Sequence, residues 1–149
     1  MRLFGAAFVL VTTAAAVPGL AHHSFTPYYD ASTLVSLTGV VVEARSINPH
    51  VVLVVEGTLA DGRSGRWAFE GFQPLVFTRD GGKAFKNRFR AGMRITISGW
   101  PAKDPAARAF SGREVTFEDG SKILFGHTPE EGDRWQCRCT YRYPEVTSN

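Results

Sequence analysis

Phe72-Gln73-Pro74-Leu75-Val76-Phe77-Thr78-Arg79-Asp80-Gly81-Gly82-Lys83-Ala84-Phe85-Lys86-Asn87-Arg88-Phe89-Arg90-Ala91-Gly92 is where the period of the chain changes. The sequence on either side has the character of β-strands; this stretch does not. Pro74 suits a first helical position, where its missing N–H has no intrahelical partner to lose. Gly81-Gly82 interrupts the run. Phe85 and Phe89 then lie four apart on one helix face, with Lys83, Lys86, Arg88 and Arg90 around them. The pattern predicts a short, broken amphipathic segment whose phenylalanines plug the end of a barrel. A basic aromatic run can also meet an anionic ligand or a membrane surface. A solvated helix face explains it more simply.

Working upstream, Arg66 to Glu70 alternates, with Trp67 and Phe69 on one face and Arg66, Ala68 and Glu70 on the other. Ala60-Asp61-Gly62-Arg63 carries the Asp-Gly hairpin signal. Val51 to Glu56 is continuously apolar and β-branched up to Glu56, which suits a strand covered on both faces. Ser46-Ile47-Asn48-Pro49 is a turn, and Thr33 to Arg45 is a long strand in which Gly39 suggests a bulge or a sharp coil. Downstream, Met93 to Gly99 alternates with Met93, Ile95 and Ile97 inward, and Trp100-Pro101 is expected to stop it. Ala102 to Ser111 reads as a polar loop. Arg113 to Glu118 is a strand with Val115 and Phe117 inward, and Asp119-Gly120 turns it into a short closing strand, Lys122 to Phe125.

Three meandering strands, a helical connection, then two more strands is the order of the five-stranded OB barrel. The expected fold class is therefore all-β, a small OB-like barrel with a short helical segment between strands 3 and 4. An open sandwich or a roll would use the same strands. A chain of 149 residues suits one such domain with a modest core.

The chain opens on Met1-Arg2, an apolar run from Leu3 to Val17, and Pro18-Gly19-Leu20-Ala21. That is the pattern of a secretory signal peptide, too short and alanine-rich for a good membrane span. Cleavage after Ala21 is preferred over cleavage after Ala16, which leaves Pro18 close behind the cut. The expected division is 1–21 signal peptide, 22–32 extended arm, 33–126 barrel and 127–149 C-terminal extension. Losing Arg2 lowers the formal charge from +3 to +2. An exported protein so nearly balanced argues against a nucleic-acid partner.

Cleavage after Ala21 would leave an amino group on His22, followed by His23. An α-amine and adjacent imidazoles chelate one metal, and nitrogen-rich sites of this kind suit copper. Zinc is the other candidate. His50, after its Pro-bearing turn at a strand start, adds a third imidazole. The candidate metal ligands are thus His22, His23 and His50, with Asp30 and Glu70 as carboxylates that could orient a ring. The competing readings are a frayed terminus and a lone histidine satisfying a backbone carbonyl. Cys137-Arg138-Cys139 could bind a soft cation or cycle as a strained disulfide. It lacks the further ligands of a zinc signature and lies in a tail that reads as loosely ordered. His127, just ahead of that tail, reads as solvent-facing. No Gly-rich phosphate loop, nucleophile elbow or His-Glu-x-x-His is present. No catalytic constellation stands out, so an enzyme is not expected.

Ala21-His22-His23-Ser24-Phe25, Tyr29-Asp30, Leu37-Thr38-Gly39-Val40-Val41, Asn48-Pro49-His50, Asp61-Gly62, Trp67, Ala91-Gly92 and Ile95-Thr96-Ile97-Ser98-Gly99 resemble domain-of-unknown-function family 6152. The resemblance runs from the leader boundary to about residue 126. It implies an exported, all-β, OB-like protein in which the histidine motifs are hallmarks. It carries no activity, and the cysteine-bearing tail is no part of it.

These readings point to an exported periplasmic or secreted binding protein that holds copper or another divalent metal. The rival is an interaction module binding a protein or cell-envelope ligand through Arg66, Ala68, Arg94, Thr96 and an exposed Trp100, with the histidines structural.

Overall fold

The computed structural model describes residues 25–77 and 84–133, together with 144 and 146. The leader, His22, His23, Cys137 and Cys139 lie outside the described residues. In chain order the elements are β1 (Val35–Ser46), β2 (Val51–Thr58), β3 (Ser64–Glu70), a 3-10 turn (Pro74–Phe77), α1 (Ala84–Arg88), β4 (Arg94–Pro101), β5 (Ala109–Phe117), β6 (Lys122–Leu124) and α2 (Pro129–Asp133).

The sheet order is β3-β2-β1-β4-β5-β6, and an additional pairing joins β3 to β5. That pairing is parallel, with Ala68, Phe69 and Glu70 opposite Ala109, Phe110 and Ser111. It closes five strands into the expected OB-like barrel, and β6 extends β5 on one side. The long β1 makes closure feasible because it serves two neighbours. Its first half pairs with β4 and its second half with β2, overlapping at Thr38 to Val40. The helical segment falls between β3 and β4 as expected. Phe85 and Phe89 are buried beside Phe77 and Phe125, stopping the core. No helix among the described residues is long and apolar enough to cross a membrane.

Several local expectations need correction. The bulge in β1 lies between Val41 and Glu43, not at Gly39. Gly39 instead marks a close approach, since a Cβ there would collide with the Glu56 carbonyl of β2. Trp100-Pro101 does not end β4; both residues pair with β5, opposite Ser111 and Phe110. The stretch read as a loop to Ser111 already becomes strand at Ala109, where β5 meets β3. Local pattern cannot show that, because the stabilising partner is some forty residues away. The arm is not extended at its described end. Tyr28 and Tyr29 both donate backbone N–H to the Phe25 carbonyl at 3.0 Å, forming a turn.

The hairpin signals behave as their chemistry requires. Gly62 and Gly120 take positive φ of 86° and 81°. Asp61 and Asp119 each accept the backbone N–H two residues on, from Arg63 at 3.0 Å and Ser121 at 2.9 Å.

Candidate functional site

The site lies on the outside of the barrel, at the seam where β3 meets β5. Glu70 ends β3 and pairs with Val52 on one side and Ser111 on the other, and Ser111 pairs with Trp100. Closure thus puts a carboxylate and an indole in one row across three strands. The arm is seated on this row. Phe25 meets Trp100 edge-on with ring centroids 5.4 Å apart, and Tyr29 lies 5.4 Å from Phe25. Backbone bonds fix it there: Asp30 N–H donates to the Pro101 carbonyl at 2.9 Å, and Lys103 N–H to the Tyr28 carbonyl at 2.9 Å. From the other side, α2 brings Gly132 against Phe25, so closely that a Cβ would lie 2.8 Å from the Phe25 Cβ.

This seating delivers the Tyr29 hydroxyl to Glu70, where it donates to Oε2 at 2.8 Å. The other oxygen, Oε1, is 3.4 Å from His50 Nε2. His50 Nδ1 is 3.0 Å from the Gly71 carbonyl oxygen. A carbonyl can only accept, so Nδ1 carries the proton and Nε2 is the nitrogen turned to the carboxylate. The Asn48–Pro49 peptide bond ahead of it is cis. The side chains of His50 and Glu70 are 24% and 12% exposed, so the pair is partly desolvated yet reachable from solvent.

A second imidazole borders the pair. His127 meets Phe72 edge-on at 4.6 Å, and its Nδ1 lies 4.0 Å from Glu131 Oε2. Burial holds its imidazolium below the ordinary histidine value. Glu131 opposes that shift, while the charges of His50 and Arg113 add to it. His127 is solvent-facing as the sequence suggests, with its side chain 39% exposed, but its ring also packs on Phe72. The missed signal was Thr128-Pro129-Glu130-Glu131, a capping box with Pro at the first helical position. Thr128 N–H donates to Glu131 Oε2 at 2.8 Å, and Glu131 N–H to Thr128 Oγ1 at 3.2 Å. The start of the tail is thus a folded helix against the seam. The bond from Thr128 N–H, ahead of the Arg113 charge, holds the Glu131 carboxyl below its ordinary value.

A pH effect follows. The unfolded His127 takes up a proton near the ordinary histidine value of 6.5, whereas the folded ring does so only at lower pH. Stability from this residue is therefore present above that value and is lost as pH falls through the folded value. Melting temperatures at pH 7.5 and 5 should fall further for the wild type than for His127→Phe, which keeps the aromatic contact. Equal losses would show that the ring is not desolvated.

Of the two carboxylates expected to serve the histidines, Glu70 meets His50. Asp30 turns back on Ser32, accepting from its N–H at 3.0 Å and its hydroxyl at 2.6 Å. The surface expected for an interaction module is assembled in part, with Arg66, Arg94 and Thr96 at the surface and Ala68 and Trp100 covered. Arg66 pairs with Glu56 at 3.1 Å, Ala68 is fully buried, and Trp100 is covered by the arm. Only Arg94 and Thr96 border an open, shallow cleft, with Thr38, Thr116 and Glu118. Among the described residues no three of His, Cys, Asp and Glu converge closely enough to hold a metal ion by themselves.

A family model described as a family of unknown function, DUF6152, matches residues 9–111 of this chain. The chain belongs to that family. The DUF6152 match ends within β5, earlier than residue 126, so it includes His50, Glu70, Tyr29 and Trp100. His127 and α2 lie beyond it. No curated protein and no solved structure matches the chain.

Proposed function

We propose that this DUF6152 protein is an exported, non-catalytic binding protein of the periplasm or cell exterior that holds copper, or zinc, at the barrel seam. His50 Nε2 would be the ligand supplied by the barrel, and His22, its amino group and His23 the ligands supplied by the arm. Glu70 would orient the His50 ring or close the coordination sphere, held by Tyr29.

One observation carries the reading: the Glu70 carboxylate bridges Tyr29 of the arm and His50 of the barrel. The arm is therefore anchored beside His50, and the chain from Phe25 back to His22 spans at most about 11 Å when extended. The reading requires that length of chain to bring both leading histidines to Nε2. The Nδ1 bond to a carbonyl supports the same role, since such contacts set the tautomer of metal-binding imidazoles. Copper is preferred because it heads the divalent affinity order at nitrogen-rich sites. Ligation through Nε2 requires that nitrogen in its unprotonated form.

The test is a Cu(II) titration of protein secreted with its own leader, followed by absorbance and electron paramagnetic resonance. Mass spectrometry first establishes the mature N-terminus; the amine ligand requires cleavage after Ala21. The double variant His22→Ala, His50→Ala should bind at least about 100-fold more weakly, and Glu70→Gln about 10-fold more weakly. Unchanged binding in the double variant would sink the proposal.

A further inference from the structure

The outer face of β2 and β3 breaks the usual rule for a barrel, in which outward residues are polar. Val52 and Val54 point outward there, with Ala68 opposite Val54. Val54 and Ala68 are nonetheless fully buried, and Val52 is 6% exposed. Something covers them. Val42, set apart by the bulge in β1, supplies part of the cover, and the other described partner is Val146 of the C-terminal segment. Arg45 stands opposite Val52 on the same face. Its Nε lies 3.0 Å from Glu43 Oε2, so the guanidinium at this edge of the strip is already paired with an acid.

We infer that this face is a docking site for an aliphatic peptide segment, and that the chain's own C-terminal segment around Val146 occupies it in cis. The occupancy is not dictated by the barrel's connectivity. Helix α2 ends at Asp133, and the residues from there to Val146 span about 40 Å or more when extended, so the tether permits many other positions. Val146 sits on the strip because the strip is apolar and so is its side chain. Because Val52 pairs with Glu70, the strip runs directly into the seam. This inference does not depend on metal binding there.

The experiment compares full-length wild type, Val146→Ala and Val146→Asp by fluorescence of an anilinonaphthalene sulfonate dye. Circular dichroism confirms an unchanged sheet, and sedimentation measures the oligomeric state. Dye binding should rise several-fold in Val146→Asp and by less in Val146→Ala. A synthetic peptide of residues 141–149 added to Val146→Asp should displace the dye saturably, and the same peptide carrying Val146→Asp should not. Wild-type dye binding in Val146→Asp, or no displacement by the native peptide, would overturn the proposal. So would a wild-type dimer that Val146→Asp dissociates, since the tail would then cover a second copy.

Discussion

Trp100→Ala should release the arm while leaving the barrel folded. Trp100 is 8% exposed, and together with Phe25 and Tyr29 it forms a small cluster separate from the main core. Truncating a buried tryptophan costs about 3–5 kcal/mol when the surroundings cannot collapse into the space. Here the arm can move, so the loss should lie near about 3 kcal/mol and be local in character. Amide exchange should accelerate at Asp30 and Lys103, whose N–H groups bond to the Pro101 and Tyr28 carbonyls. The core strands should keep their protection. If the proposed metal site exists, losing the Tyr29–Glu70 bond should lower its copper affinity toward that of an isolated His-His terminus. Full protection at Asp30 and Lys103 in this variant would show that the backbone bonds alone hold the arm.

Gly39→Val should be more damaging still, because it strikes the strand shared by both halves of the barrel. A Cβ at residue 39 would collide with the Glu56 carbonyl oxygen and lie 2.9 Å from Val55 Cγ1. A backbone carbonyl cannot rotate away as a side chain can, so β1 and β2 must separate or slip. Overpacking commonly costs about 1–3 kcal/mol, and a collision with backbone belongs at or above the upper end. Gly62→Ala is the informative contrast. Its Cβ would meet nothing within 4 Å, and only the positive φ of 86° opposes it. That strain costs about 1 kcal/mol. Urea unfolding of the two variants should therefore rank Gly39→Val well below Gly62→Ala. The reverse order would mean that β1 and β2 are not in this register.

Most of the fold was legible in sequence because its signals are local. Ile95 and Ile97 alternate with polar neighbours, Asp-Gly marks two turns, and Phe85 and Phe89 share a helix face. Each pattern is set by residues within a few positions of one another. Errors arose where the deciding partner was remote. Ala109 and Phe110 look like loop until β3 is beside them, and Pro101 looks like a terminator until Phe110 pairs with it. Gly39 was noticed, but for the wrong reason: the glycine serves the approach of β2, and the bulge falls next to Val42. The capping box at Thr128 was a local signal that the tail's mixed composition obscured.

The candidate site divides along the same line. Sequence alone singled out His22, His23 and His50 as the residues whose chemistry suits a metal, and named Glu70 as a carboxylate that could serve them. It also determined the all-β class and the helical insertion between β3 and β4. Only the tertiary structure decided that Glu70 rather than Asp30 meets His50, that Tyr29 ties the arm to that carboxylate, and that Trp100 is covered rather than exposed. It also decided that His127 borders the site and that Val146 covers an apolar face. The physical reason is barrel closure. The parallel pairing of β3 with β5 puts Glu70, Ser111 and Trp100 in one row, and no periodicity within a single strand encodes which strand will lie beside it.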